Sequence, residues 1–298
     1  FAEHSKKDVP CGWSIEISTR YCFMEVTPAE TDRILVDVAK TVIAANQAAA
    51  DDLSKVLTYS ITQEGDRYRV ISTFNRDQNS VRGRRFKTSL TVKVPRHSNL
   101  SINNRNGSVS ISGLTGDQRV ANAFGNVTVS EIAGPISIEN RNADVSVKEI
   151  TGSATVNNQF GSTEVKTVSG SLELRHRNGS VDVDEVKGDA KISNAFGSLK
   201  ADDIHGNLDI NARMTSVEVS RVVGDITVEN QFQSVNLGAV NGSVSVENRN
   251  GSVDIRYEQP PRKNIRVTSR YGDVTLVLPR ASTFSVDART RFGDVSSD

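Results

Sequence analysis

From about residue 100 to residue 256 the chain alternates apolar and polar positions one by one in short blocks, as in Ser108-Val109-Ser110-Ile111 and Ser180-Val181-Asp182-Val183. Alternation of period two gives a strand one buried face and one wet face, so each block predicts a half-buried strand. Glycine recurs at nine-residue intervals between the blocks, from Gly107, Gly116, Gly125 and Gly134 to Gly242 and Gly251, with Ala143, Thr215 and Gln233 standing in three of the gaps. Each nine-residue unit therefore reads as a strand plus a turn. Alternate units differ, so the repeat is 18 residues, and at that spacing whole columns stay apolar. Val109, Val127, Val145 and Val181 form one, with Thr163 its exception; Ile111, Val129 and Val147 form the next, then Leu114, Ile132 and Ile150, and on the return strand Ile102, Val120 and Ile138. β-Branched residues suit a pleated surface. A unit that cannot bury its own apolar face must stack on copies of itself. The pattern predicts an all-β chain, a single-stranded β-solenoid (β-helix) of about nine 18-residue rungs over residues 100–256.

The flanks are less regular. An alanine-rich stretch predicts a short helix near 46–57, and Leu57–Thr62, Arg67–Phe74 and Phe86–Val94 read as strands, so residues 1–99 are expected to form a β-rich N-terminal cap region. Residues 257–298 read as degenerate C-terminal rungs or a cap: Thr268-Ser269-Arg270-Tyr271-Gly272-Asp273-Val274 and Arg291-Phe292-Gly293-Asp294-Val295 keep the pattern. Ser18-Thr19-Arg20-Tyr21-Cys22-Phe23-Met24 keeps it too, with Cys22 in the glycine position, and is expected to join the same stack. A cap is physically needed, because an open solenoid end presents unpaired strand edges.

A further column carries asparagine, at Asn104, Asn122, Asn140, Asn158, Asn194, Asn230 and Asn248, interrupted by His176 and Ala212. Stacked amides can donate to one neighbour and accept from the other, so a structural ladder of Asn side chains is expected along the turns. The position before the turn glycine alternates over 36 residues between Asn106, Asn142, Asn178, Asn250 and Phe124, Phe160, Phe196, Phe232. An 18-residue coil places Asn beside Phe on successive rungs, whereas a four-sided coil of 36 residues stacks Phe on Phe. The Asn column favours the former.

Composition narrows the class. With 36 basic and 36 acidic residues the chain is neutral, so no global field recruits nucleic acid. No apolar run approaches a membrane-spanning length, and the first residue, Phe1, allows for a signal or anchor segment removed ahead of it. Cys11 and Cys22 are the two cysteines. They form a disulfide if the chain is exported to an oxidising space, or remain two unpaired thiols.

These residues resemble a known group, the bacterial putative-adhesin-like β-strand repeat proteins, a domain family of unknown function. The resemblance is carried by the strand Phe86–Val94 closed by Pro95, by Asn106-Gly107-Ser108-Val109 and Phe124-Gly125-Asn126-Val127, and by Tyr271-Gly272-Asp273-Val274 with Val277-Leu278-Pro279. It implies a non-enzymatic protein in an extracytoplasmic setting, periplasmic or at the cell surface. The family has no established catalytic residues to carry over.

The chain contains no phosphate-binding loop, zinc-protease helix or serine-hydrolase elbow; its Gly-Ser pairs are repeat turns. No cofactor or metal is implied. Asp182, Asp184, Asp202 and Asp203 could come together across one coil as a calcium site, yet Asp does not recur in those columns. The candidate binding feature is a basic row, Arg105, Arg141, Arg177, Arg213 and Arg249, spaced by 36 residues. In an 18-residue coil it sets one guanidinium on every second rung, about 10 Å apart, a comb that suits an anionic envelope polymer through fork-like pairing. The plainer reading is a set of solvated turn residues, some paired with Glu139, Glu229 or Glu247. The expected function is a rigid solenoid for adhesion, scaffolding or ligand sensing in the bacterial envelope, with an anionic polymer or another protein as partner. The alternatives are a self-assembling filament subunit and, less favoured, an enzyme acting on acidic polysaccharides, which needs carboxylates clustered in one groove.

Overall fold

A computed structural model describes residues 2–8, 14–74, 85–290 and 294–297. The repeat block forms a parallel stack in which each residue lies beside the one 18 positions on: Val127 beside Val145, Val145 beside Thr163, Val181 beside Leu199. The coil therefore holds 18 residues. Phe124 sits between Asn106 and Asn142, not on Phe160, which excludes the 36-residue alternative. About ten turns, at a strand spacing of about 4.8 Å, make a rod roughly 50 Å long.

One turn, residues 118–135, shows how the sequence closes the coil. Strand Gln118–Phe124 ends at a corner formed by Gly125-Asn126, strand Val127–Ile132 follows, and Gly134-Pro135 forms the return corner. Val120, Val127, Val129 and Ile132 point into the core. Strict alternation would turn residue 131 inward. Instead Glu131 adopts φ 55°, and this left-handed residue inserts an extra outward position, so that Ile132 faces the core. The device recurs at Glu149, Thr167, Glu185, Asp203 and Arg221, all with φ between 53° and 58°. At the first corner of its rung Gly179 is favoured by space as well as by conformation: it has φ 132°, and a Cβ there would lie 2.0 Å from the carbonyl oxygen of Gly161 on the preceding rung.

The N-terminal region comprises β1 (Ala2–Asp8), β2 (Ser14–Tyr21), β3 (Phe23–Ala29), β4 (Arg33–Ile43), α1 (Gln47–Ser54), β5 (Leu57–Glu64), β6 (Arg67–Phe74) and β7 (Arg85–Pro95). The side chain of Asn46 caps α1 by accepting from the Ala49 amide at 2.9 Å. β2 and β3 together form a rung of the stack, with Ile15 beside Leu100 and Met24 beside Val109, and the Cys22 amide donates to the Asn106 carbonyl at 2.7 Å. On the other side of this rung lie β6 and β7, again parallel, so a rung early in sequence is enclosed between two later ones. β5 then pairs with β6, β4 with β7 and β1 with β4, all antiparallel, ending the parallel stack at this pole.

At the opposite pole, Ile265–Tyr271 and Val274–Val277 add a rung on Val244–Asn250 and Val253–Arg256. Val274, Leu276 and Val277 occupy its second side and are 40–48% exposed, because no further strand among the described residues covers them. Cys22 is buried, and burial pushes its thiol up to about 12, toward the unreactive protonated form. Cys11, the other cysteine of the possible disulfide, lies outside the described residues, as does Arg291-Phe292-Gly293.

Candidate ligand-binding edge

The first corner of every rung carries two adjacent columns that run the length of the rod. Register pairing sets Tyr21, Asn106, Phe124, Asn142, Phe160, Asn178, Phe196, Met214, Phe232, Asn250 and Tyr271 in one unbroken column. The residues immediately before them form the other, in which Arg105, Arg141, Arg177, Arg213 and Arg249 alternate with Ala123, Gln159, Ala195 and Gln231. All five arginines are exposed. The structure adds two that the spacing of 36 omitted: Arg20 falls beside Arg105 and Arg270 beside Arg249. Both stood within the degenerate rungs, where their place before Tyr21 and Tyr271 was the available signal.

The aromatic column is the second feature that the arginine spacing left out. Tyr21, Phe124, Phe160, Phe232 and Tyr271 are all more than a third exposed. Between them the asparagines lie flat: Nδ2 of Asn106 donates to the Arg20 carbonyl at 3.0 Å, and Nδ2 of Asn142 to the Ala123 carbonyl at 3.2 Å. Rings thus recur on alternate rungs, with Asn106 and Asn142 tied to the backbone between them, whereas the place between half-buried Phe196 and exposed Phe232 is taken by the exposed Met214.

Beneath the edge, the buried Asn column fastens the corner. Asn122 Nδ2 donates to the carbonyls of Gly107 and Gly125, at 3.2 and 2.9 Å, and Asn248 Nδ2 to those of Gln233 and Gly251. Each of these two amides bridges corner carbonyls of two successive rungs, while Asn140 and Asn194 donate to one carbonyl each. The expected amide-to-amide ladder is not formed: Oδ1 of Asn122, Asn140, Asn158, Asn230 and Asn248 has no hydrogen-bond partner in the protein. The corner carbonyls lie outside regular strand pairing and take the donors first. The exceptions fit the same logic. His176 sets Nε2 2.9 Å from the Gly161 carbonyl and Nδ1 3.1 Å from Asn194 Oδ1, and at the Ala212 rung Thr215 donates its hydroxyl to the Asn194 carbonyl. Thr163, odd in its apolar column, gives Asn158 an acceptor at 3.2 Å.

A second side-chain ladder runs along the return corner. Asp189, Asn207 and Asp225 each accept, through Oδ1, the backbone amide one rung further on, at 2.7, 3.0 and 2.9 Å. The residue after the glycine carried the signal, being Asp, Asn or Ser on most rungs. Lys263 and the Ser243 amide hold the Asp225 carboxyl down at about 2.

Charge is distributed unevenly between the surfaces. None of the five arginines of the row makes an ion pair among the described residues, and Glu229 accepts from Asn211 instead. A groove of about 630 Å³ lies over the return corner and is lined by residues that include Glu173, Asp189, Lys191, Asp209 and Asp225. Its charges are largely met within the chain: Arg175 reaches Glu173 at 2.6 Å, Lys191 reaches Asp209 at 3.7 Å and Lys263 reaches Asp225 at 2.7 Å. The Asp182, Asp184, Asp202 and Asp203 group is likewise occupied, since Arg221 bonds Asp202 and lies 4.0 Å from Asp184. No cluster of three metal-ligating side chains occurs among the described residues. Among the described residues no helix is long and apolar enough to cross a membrane.

A parallel coil with one conserved geometry per rung and a chemically repetitive edge defines a β-solenoid repeat protein. Residues 14–256 match the model of the Toastrack family, DUF4097, and the chain belongs to that family. No curated protein matches the chain. Among solved structures it is similar to a putative adhesin from Parabacteroides merdae, at 12% identity and a TM-score of 0.32, over 93% of this chain and 96% of that one. It is also similar to a putative adhesin from Bacteroides fragilis, at 12% identity and TM-score 0.28, covering 93% and 97%. A putative cell adhesion protein from Clostridium sporogenes follows at 8% identity and TM-score 0.26, covering 93% and 99%.

Proposed function

We propose that this protein is a non-enzymatic interaction rod of the bacterial envelope, extracytoplasmic, which holds an extended anionic polymer along its arginine edge in an adhesive or scaffolding role. The observation that carries this reading is a row of exposed guanidinium groups, regularly spaced and without ion-pair partners among the described residues. The non-enzymatic part draws on the titrating groups. Cys22 is pushed up by burial, while Glu164 and Asp225 are pulled down to about 2 by lysines, so the large shifts lead away from the neutral range in which general acids and bases work. An Arg141→Ala, Arg177→Ala, Arg213→Ala triple variant is expected to fold normally and to lose retention on immobilised teichoic acid or lipopolysaccharide. Unchanged retention overturns the edge as the binding surface, and fractionation of the expressing cell tests the location.

The exposed Val274, Leu276 and Val277 favour one second reading, self-association through the last rung. Light scattering during size-exclusion chromatography across concentration separates an associating chain from a monomeric rod.

A further inference from the structure

We infer that the polymer held by this edge is a linear polysaccharide carrying one carboxylate per disaccharide, read in register with the solenoid. This rests on the binding role of the edge proposed above and names the ligand class. Three observations converge. The arginine row repeats every second rung, about 10 Å, close to the advance of one disaccharide in an extended β-linked chain. The rings repeat at the same interval but on the intervening rungs: in the neighbouring column exposed Phe160 and half-buried Phe196 flank the rung of Arg177, and Phe196 and exposed Phe232 lie to either side of Arg213 and the exposed Met214. A charge and an apolar ring face alternating with that period match a polymer in which a uronate alternates with a sugar whose C–H face stacks on an aromatic ring. Third, the rungs between the arginines carry small or amide residues. Between Arg105 and Arg141, Ala121 and Ala123 leave a shallow depression of about 230 Å³ bordered by Asn103, Asn157, Gln159 and Arg141, with the carboxylate of Glu139 also on its rim. Amides and a guanidinium around an open floor provide donors and acceptors for sugar hydroxyl groups.

The same features disfavour other occupants. A polyphosphate has no ring to stack and would leave the aromatic column unused. A second copy of the chain would have to bring anionic charge to the arginine row, and the acidic groove that could supply it is largely neutralised by Arg175, Lys191 and Lys263. Glu139 and Glu247 lie two residues before Arg141 and Arg249 on the same face, so the strongest binding is expected in the middle of the rod, around Arg177 and Arg213, where Arg175 and Asn211 take the equivalent places.

The test uses the full chain and three probes in equilibrium binding: oligosaccharides of alternating glucuronate and N-acetylglucosamine, polyphosphate of equal charge, and neutral β-1,4-linked glucose oligomers. The uronate oligomers are expected to bind most tightly, with affinity rising as disaccharides are added. A Phe160→Ala, Phe196→Ala, Phe232→Ala variant is expected to lose about tenfold or more for the uronate oligomers while its polyphosphate binding is unchanged. An Arg177→Gln, Arg213→Gln variant should lose both. Melting curves of the variants control for folding. Polyphosphate binding as tight as uronate binding, or a uronate affinity indifferent to the three phenylalanines, overturns the inference and leaves the anionic-polymer reading intact. Failure of both anionic probes overturns that reading as well.

Discussion

At the residue scale the fold is set by what a Cβ can or cannot do at a corner. Ala143 and Gln233 occupy glycine positions yet keep positive φ, at 106° and 83°. They hold a backbone shape that glycine adopts without strain, so Ala143→Gly is expected to stabilise the chain by about 1 kcal/mol in urea or thermal unfolding. The reverse change at Gly179, where a Cβ would meet a backbone oxygen at 2.0 Å, should cost about 2–4 kcal/mol. Equal stability of the two variants would refute the steric account of the column. Asn230→Ala should cost about 1–3 kcal/mol, because the carbonyls of Thr215 and Gln233 lose their donor. Positions of this kind were legible in the sequence because one residue type solves each problem. The left-handed bend was not, since Glu131, Thr167, Asp203 and Arg221 share a φ but no chemistry; only the three-residue step from Val129 to Ile132, where strict alternation gives two, pointed to it. Nor was the direction of the Asn hydrogen bonds legible, because an amide fits a neighbouring amide and a backbone carbonyl equally well.

At the scale of strands, outward side chains fasten one rung to the next. Glu164 accepts from Ser146 at 3.2 Å and pairs with Lys148 at 3.0 Å and with Lys166, and the two lysines hold its carboxyl near 2, below the usual 4.5. A carboxyl with a depressed folded-state value stabilises the fold while it stays ionised. That contribution is complete above the ordinary value and disappears as pH falls through the folded one. Wild-type stability is therefore expected to decline between about pH 5 and pH 2, and Glu164→Gln should flatten part of the decline, by less than about 1 kcal/mol because the pair is partly exposed. A slope unchanged by the substitution would place the acid sensitivity elsewhere, Asp225 with Lys263 being the next candidate. The short helix and the strands β5, β6 and β7 could be read from local spacing. Their assembly could not: the slot that β2 and β3 fill, with β6 and β7 on one side and Asn99–Ser112 on the other, depends on pairings between segments far apart in sequence, which no local period records.

For the whole molecule, a stack in which each rung touches only its neighbours has a stability that is nearly a sum of rung and interface contributions, so protection should vary along the axis. The central strands Leu172–Val186, Ala190–Ile204 and Leu208–Val222 run through their corner without interruption and are packed on both sides. One pole is closed by the antiparallel strands β1, β4 and β5, while at the other the side chains of Val274–Val277 are exposed. Native-state hydrogen exchange is accordingly expected to be slowest at residues 172–222 and fastest at residues 265–277, with the β2–β3 rung much closer to the centre than to the open pole because it is enclosed between two others. The measurement also decides how the open pole is used. If residues 265–277 exchange as slowly as the central rungs at high concentration and lose protection on dilution, a second copy covers them and the rod associates through that end. If they exchange fast at every concentration, the pole is free in solution, and a polymer laid along the arginine edge should slow it, since a ligand that spans several rungs must hold them in register to make its contacts.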